Sequence, residues 1–198
     1  FAEKCGLISD IGKWVLKTAS SQVKKWSDEH GVNYRVAINI SPAHITEHDF
    51  VQQLEEVIEE TKVNPSQLEL EITEMSMMDY NEEIIEKIKT IRAKGITIAI
   101  DDFGTGYSSL SYLRQLPVDT LKIDRTFIQD LTKNDSGVSM VSAIISLAHA
   151  LNMDVVAEGV EEEGELVILR ELKCEYIQGY YFNKPLTVAD YEQTYFTK

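Results

Sequence analysis

The feature that most constrains the fold of this chain is an alternation between two kinds of segment. Short runs rich in Ile, Val and Leu are apolar almost throughout, which predicts strands covered on both faces, as in parallel sheets. They are Arg35–Ser41, Gln67–Thr73, Ile96–Asp102, Thr120–Asp124, Met153–Glu158 and Glu175–Phe182. Segments with an apolar stripe at helical spacing lie between them. The alternation therefore predicts repeated βα units.

The helical segments are recognised by their stripes and by the residues that end them. The first stripe consists of Ile11, Trp14, Val15, Ala19, Val23 and Trp26, and Gly31 follows it as a stop signal. Four further stripes begin at Phe50, Ile84, Val141 and Leu166, and a shorter helix fits Ser108–Leu116. For the helix at Ile84 we predict Asn81 as N-cap and Gly95 as C-cap.

The number of strands leaves two architectures open. Six strands suffice for an open, doubly wound sheet, whereas a closed (β/α)8 barrel needs two more and typically about 250 residues. The 198-residue chain is thus either an open α/β fold or a barrel that lacks its first part. No linker, low-complexity tract or charge block divides it, so we expect one domain over residues 1–198.

Composition excludes several classes of function. With 19 basic and 33 acidic residues the net charge is −14, which argues against binding a nucleic acid polymer. The hydrophobic share of 43% argues against disorder. The absence of a long apolar run and of a signal peptide predicts a cytoplasmic domain. Cys5 and Cys174 have no metal-ligand spacing and fit a reduced compartment.

Polar side chains interrupt the apolar strands at or near their carboxyl ends. They are Asn39, Glu71, Asp101, Asp102, Lys122 and Glu158, and Gln178 is predicted to lie within the last strand. In barrels and open α/β sheets alike, this end of the strands hosts the active site. A buried charge costs several kcal/mol unless it is paired or bound to a metal. Polar residues on all six predicted strands, converging on one rim, favour a functional site.

The residue types at this rim suggest a chemistry. Two carboxylates about 4 Å apart repel by about 4 kcal/mol at an effective dielectric near 20, so four of them require cations or protons. Oxygen ligands without Cys or clustered His favour Mg2+, Mn2+ or Ca2+ over zinc. Two such ions form the usual clamp for phosphoester hydrolysis. Lys122 fits as a point charge near the nucleophile or the phosphate.

Structural roles compete with this interpretation for single residues. Asp102 could cap a helix or turn, Lys122 could pair with Asp124, and Glu158 with Gly159 could begin a helix. The loop that contains Gly104 and Gly106 lacks the lysine of a phosphate-binding Walker loop.

Two other groups are interpreted as solvated. His44 and His48 lack the Glu of a zinc-protease helix. The run Glu161–Glu163 is typical of a helix start, although Glu161 is close enough to Glu158 to share its site.

Several long motifs resemble one known family. The segments DDFGTGYSSLSYLRQLPVDTLKIDRTFI, ELEITE, RVAINIS, VVAEGVE and YIQGYYFNKPL resemble the EAL domain of cyclic di-GMP phosphodiesterases, from Phe1 to about Leu186. The resemblance implies a modified TIM (β/α)8 barrel, of which six of eight strands are present. It also implies two divalent cations, Mg2+ or Mn2+, and a homodimer.

The resemblance assigns a role to each rim residue. Asn39 and Glu71 match metal ligands, Asp101 matches the ligand shared by both metals, and Asp102 and Glu158 match ligands of the second metal.

Four further residues also match the family. Lys122 matches the lysine near the attacking water, Glu158 and Glu161 match catalytic and supporting carboxylates, and Gln178 matches a first-metal or water contact. Glu74 matches the anchor of the glycine loop between Phe103 and Ser109, which in the family is linked to the dimer interface.

One departure from the family pattern matters. The Glu-Ala-Leu motif is absent, and with it the first two strands, a metal-binding Glu and a substrate-contacting Arg. Either the chain belongs to a longer polypeptide, or the molecule lacks these elements and its activity is weak or absent. We favour the first explanation because every other site residue is present.

Three hypotheses for function follow. The first is a phosphodiesterase that hydrolyses cyclic di-GMP to linear pGpG. Its parent protein could also contain upstream sensor or cyclase domains and a membrane anchor. The second is a catalytically silent receptor for cyclic di-GMP or a protein-interaction module. The third, another metal-dependent TIM-barrel enzyme acting on a sugar phosphate or enolate, does not explain the DDFGTGYSS loop together with the KID strand.

Overall fold

The structure is a computed structural model that describes residues 7–77, 80–106 and 113–197. In this part of the chain there are six strands: β1 Val36–Asn39, β2 Leu68–Thr73, β3 Thr97–Phe103, β4 Thr120–Ile123, β5 Asp154–Ala157 and β6 Tyr176–Ile177. The first five agree with the predicted strands to within two residues at either end. The βα alternation is therefore confirmed.

Helices connect most of the described strands. Within the described ranges they are α1 Ile8–His30, α2 Pro42–Thr46, α3 Phe50–Thr61, α4 Glu74–Met77, α5 Glu82–Ala93, α6 Arg125–Ile128, α7 Asp135–Ala150, α8 Glu163–Glu171 and α9 Val188–Tyr195. The side chain of Asn81 accepts a hydrogen bond from the Ile84 amide, as an N-cap should. Gly95 follows the C-cap Lys94 instead of being the cap itself. The predicted helix Ser108–Leu116 lies mostly outside the described residues.

The chain divides into two compact units. The first comprises the residues up to Asp101 together with Thr105–Asp119, and the second comprises Asp102–Gly104 and the chain from Thr120 onward. In the first unit β1, β2 and β3 pair in parallel in chain order. Its core includes Leu16, Leu54, Leu70, Ile88 and Ile98, all essentially inaccessible to solvent.

The second unit contains the other three strands. β4 pairs with β5 and β5 with β6, again in parallel. α7 packs against β4 and β5 through Val141, Ile145 and Ala148, which are buried. Burial of aliphatic side chains between a helix and a sheet stabilises such a layer by about 1.5–3 kcal/mol for each side chain.

The last predicted strand, Glu175–Phe182, is much shorter in the structure. β6 contains only Tyr176 and Ile177, so Gln178 follows the strand and does not lie within it. The backbone turns at this point, because the Tyr181 amide donates to the Val160 carbonyl and the Phe182 amide donates to the Gly179 carbonyl. Because these amides donate to a loop carbonyl and to a carbonyl three residues earlier, they cannot continue the parallel hydrogen bonding between β5 and β6.

The buried face of α1 also differs from the predicted stripe. Leu16, Ser20 and Val23 are buried, whereas Trp14 is 66% exposed and Ile11 is 44% exposed. The helix packs against α3 and β1, and Leu16, Ser20 and Val23 recur at the i, i+4, i+7 spacing of one helical face. Ser20 belongs to this face although it is polar, which a hydrophobicity pattern cannot indicate.

His44 is buried, contrary to the solvated interpretation, whereas His48 is exposed as predicted. The His44 ring packs edge-to-face on Phe50, with 4.8 Å between ring centroids, and its Nε2 lies 3.1 Å from Gln53 Oε1. A helical turn that starts at Pro42 places this side chain inward.

No helix in the described ranges is suited to crossing a membrane, since even the 23-residue α1 lacks a sufficiently apolar stretch.

Candidate active site

In the first unit, three of the predicted site residues lie on one face of the sheet. Asn39 and Glu71 are direct partners in the β1–β2 register, and Glu71 is the partner of Ala99 on β3. Asp101 lies two residues after Ala99, so it shares that face because side chains alternate along a strand. Glu71 is 5% exposed and Asn39 is exposed. This face therefore combines one buried carboxylate with an accessible amide and a second carboxylate.

Glu74 is hydrogen-bonded to the glycine loop that it is predicted to anchor. It is buried at the start of α4, directly after β2, and its Oε2 accepts a hydrogen bond of 3.2 Å from the Gly106 amide. A Cβ atom at Gly106 would lie 3.2 Å from this carboxylate, so glycine permits the close approach. The remainder of the glycine loop, up to Ser109, lies outside the described residues.

In the second unit, Lys122 and Glu158 form an ion pair at the carboxyl ends of β4 and β5. Lys122 is 4% exposed, and its Nζ lies 2.7 Å from Glu158 Oε1. Asp102 and Glu158 each offer a carboxylate oxygen, and these two oxygens lie within 4.8 Å of each other. Two carboxylates at this separation repel, so a cation is favoured beside them. The alternative that Glu158 begins a helix is wrong, because α8 starts at Glu163.

The backbone of Asp102 is unusual for a strand residue. Its φ is 55°, in the left-handed region that few residues other than glycine adopt. Such a conformation costs on the order of 1–3 kcal/mol unless the surroundings hold it. Asp is one of the residue types that tolerate it best. Asp102 lies within β3, two residues before the turn at Gly104.

A cavity of about 260 Å³ lies within the second unit. Its acidic lining residues are Asp102, Asp124, Glu158 and Glu161, and they are joined by Arg125, Gln178 and Tyr180. Three of the predicted site carboxylates thus share one cavity with the predicted water contact Gln178. The arrangement can bind cations through its carboxylates and an anionic ligand through Arg125.

Sequence reasoning missed Asp124, Arg125 and Tyr180. Asp124 is the N-cap of α6, where its side chain accepts a hydrogen bond of 2.9 Å from the Thr126 amide. Arg125 packs closely against Gly159, because a Cβ atom at position 159 would lie 2.5 Å from the Arg125 Cβ. Both residues directly follow β4, so their position at a strand's carboxyl end was the available signal.

Cys174 is not a nucleophile candidate in the described part of the chain. Burial raises the pKa of its thiol to about 11, so the sulfur is a neutral thiol at neutral pH. Cys5 lies outside the described residues.

The segment that carries Glu158 and Glu161 is tied to the segment that carries Gln178. The Val160 amide donates to the Gln178 carbonyl over 3.1 Å, and the Tyr181 amide donates to the Val160 carbonyl over 2.9 Å. A Cβ atom at Gly179 would lie 2.1 Å from the Val160 carbonyl oxygen. Only glycine therefore fits at position 179 without movement of the backbone.

We expect Gly179→Ala to lower the free energy of unfolding by about 3 kcal/mol, because the contacting atoms belong to the backbone and cannot turn aside. Gly31→Ala is the control. Its φ is +66°, but a Cβ atom there would meet nothing within 4 Å, so its cost is limited to about 1–2 kcal/mol of backbone strain. Urea denaturation measures both variants, and an equal effect would contradict the steric explanation.

Comparison with known proteins settles the family. The EAL domain matches residues 1–185 of the chain. The chain belongs to the EAL-domain family. The cyclic di-GMP phosphodiesterase NbdA of Pseudomonas aeruginosa is 38% identical over 192 residues, which are 97% of this chain and 24% of NbdA. The bifunctional diguanylate cyclase/cyclic di-GMP phosphodiesterase MucR of the same species is 40% identical over 185 residues, 93% of this chain and 27% of MucR. This EAL domain thus spans about a quarter of the length of these relatives.

Solved structures give the same result for the fold. The structure of the MucR phosphodiesterase in complex with cyclic di-GMP has a TM-score of 0.91 and 38% identity, with 96% of this chain and 77% of that chain covered. A manganese and cyclic di-GMP complex of BlrP1 from Klebsiella pneumoniae has a TM-score of 0.80 and 26% identity, with 89% of this chain and 45% of that chain covered. The EAL domain fold, a modified TIM barrel with six of its eight strands in this chain, is therefore confirmed, and the open doubly wound alternative is excluded.

Proposed function

We propose that this EAL domain is a metal-dependent phosphodiesterase that hydrolyses cyclic di-GMP to linear pGpG. The observation that carries the proposal is the arrangement of charges at the carboxyl ends of the strands. Asp102 and Glu158 face each other within 4.8 Å, and Lys122 contacts Glu158 at 2.7 Å, beside a cavity that also contains Arg125. Neighbouring carboxylates bind divalent cations, and the adjacent cationic side chains suit a phosphate diester.

The donor set fits Mg2+ or Mn2+. Every candidate ligand offers oxygen, and none is a His or a Cys. By the family resemblance we assign Asn39 and Glu71 to one ion, Asp102 and Glu158 to the other, and Asp101 to both. When bound, such ions neutralise charge on the phosphoryl oxygens and make a bound water more acidic.

The remaining site residues have roles that follow from their placement. Buried Lys122 holds a fixed positive charge next to Glu158, where it can stabilise negative charge that develops on the phosphate or its attacking water. Exposed Gln178 can donate and accept hydrogen bonds at the cavity, which suits it to orient water or substrate. Arg125 can bind the anionic substrate, and Glu161 supports the charge balance of the lining.

Two kinds of relative support the proposal. NbdA and MucR are named as cyclic di-GMP phosphodiesterases, and the BlrP1 structure is a complex with manganese and cyclic di-GMP. Because the chain spans about a quarter of NbdA and MucR, we also propose that it works within a longer signalling protein. The homodimer that the family resemblance implies is part of this proposal. The second candidate function is a receptor that binds cyclic di-GMP without hydrolysing it.

The two candidates differ in their response to metal. We expect the full-length protein to convert cyclic di-GMP to pGpG with Mn2+ or Mg2+, and chelation with EDTA to lower the rate by at least about a hundredfold, since the carboxylates then lack their cations. Restored Mn2+ should restore the rate. Chromatography measures the product, and calorimetry measures binding. Binding of cyclic di-GMP with and without metal, but with no product under either condition, would favour the receptor.

A further inference from the structure

A buried carboxylate outside the cavity accepts hydrogen bonds from the segment that carries Glu161. Glu165 lies in the first turn of α8 and is only 4% exposed. Its Oε2 accepts two hydrogen bonds from backbone amides, one of 2.8 Å from Glu161 and one of 3.0 Å from Glu162. Because both amides donate to the same oxygen, Glu165 attaches the peptide units of Glu161 and Glu162 to the first turn of α8.

One of these two bonds exceeds what helix capping requires. A Glu in the first turn commonly accepts a hydrogen bond from the amide of the N-cap residue, here Glu162. The second bond reaches Glu161, which precedes the N-cap and lies outside the helix. The additional bond therefore connects the rigid helix end to a residue of the cavity lining.

The segment is fixed from its other side as well. Val160, the residue before Glu161, exchanges backbone hydrogen bonds with Gln178 and Tyr181. Glu161 is thus held between two attachments, one to Glu165 of α8 and one, through Val160, to Gln178 of the cavity lining and to Tyr181. Removal of the Glu165 attachment would free the peptide of Glu161 on the side of α8.

We infer that Glu165 is a positioning residue for phosphodiester hydrolysis: it fixes the peptide of Glu161 so that the Glu161 carboxylate faces the cavity. The inference rests on the proposed function, and Glu165 itself is absent from the cavity lining. Misplacement of a supporting group by about 1 Å can lower a rate by about a hundredfold, so a lost attachment has a measurable effect.

Substitutions at Glu165 separate positioning from simple stability. Glu165→Gln keeps an acceptor oxygen and should retain kcat within about twofold, whereas Glu165→Leu removes it and should lower kcat at least about tenfold with KM changed less than about threefold. In a Glu161→Gln background, Glu165→Leu should lower kcat by no more than about twofold further, because residues that act through one another are not additive. If Glu165→Leu does not fold, Glu165→Asp replaces it, since its side chain is too short to reach both amides.

Hydrogen exchange at the Glu161 and Glu162 amides gives a readout that requires no activity. Both amides should be protected in the wild-type protein and in Glu165→Gln, and exchange faster in Glu165→Leu. Unchanged exchange, or an undiminished kcat in Glu165→Leu, overturns the inference. An equal loss of kcat in the Glu161→Gln background also overturns it, because Glu165 would then act elsewhere. A wild-type protein without hydrolysis contradicts the proposed function instead, and the exchange data still decide whether the attachment exists.

Discussion

Replacing Glu158 by Gln is expected to lower kcat for cyclic di-GMP hydrolysis at least about a thousandfold. The carboxylate of Glu158 contacts Lys122 and lies within 4.8 Å of an Asp102 oxygen. It therefore balances the charge of Lys122 and, in the proposed function, binds a cation together with Asp102. Gln has nearly the same shape but carries no charge. It therefore removes both electrostatic functions while it leaves the packing of the segment unchanged.

Glu163→Gln is the matched control for this substitution. Glu163 is an exposed acidic residue of the same segment, at the first position of α8, and is not among the residues that line the cavity. The control should retain kcat within about twofold, since exposed surface charges contribute little. Steady-state kinetics with saturating Mn2+ measures both variants, and far-ultraviolet circular dichroism confirms their fold. A Glu158→Gln protein with kcat within tenfold of wild type would exclude Glu158 from the reaction.

The sequence predicted most of the framework because the strands here are short and apolar throughout. A strand such as β4, with Thr120, Leu121 and Ile123 all buried, has no competing helical pattern. Because the strands of each unit pair in parallel, their carboxyl ends lie at one predictable edge. Glu71, Lys122 and Glu158 could therefore be selected as candidate site residues from their position alone.

The remaining features depend on contacts between residues that are distant in sequence. The early end of β6 follows from hydrogen bonds to Val160, some twenty residues earlier in the chain, and no local pattern reports them. His44 is buried because Phe50 and Gln53 on the next helix contact it. Glu165 looks like any acidic residue of a helix start until its two amide donors are known. Charge pattern gives the type of site, whereas tertiary contacts decide which charges belong to it.

Replacing Lys122 by Met should separate catalysis from metal binding. Met has a similar length and is apolar, so it fits the buried position, but it removes the positive charge 2.7 Å from Glu158. We expect kcat to fall about a hundredfold or more, because a fixed charge near the phosphate is lost. Affinity for Mn2+ should be retained or increased, since a cation that competes for the Glu158 carboxylate is gone.

The stability of the same variant should depend on metal. Without Mn2+, Glu158 loses its cationic partner at a position where its side chain is only 18% exposed, so the variant should unfold at a lower temperature than wild type. Added Mn2+ should raise the melting temperature of Lys122→Met more than that of wild type, because a ligand that binds only the folded state stabilises it by mass action. Calorimetric titration and thermal unfolding with and without Mn2+ measure these effects. Loss of Mn2+ affinity in Lys122→Met would show that Lys122 shapes the metal site and does not merely supply charge beside it.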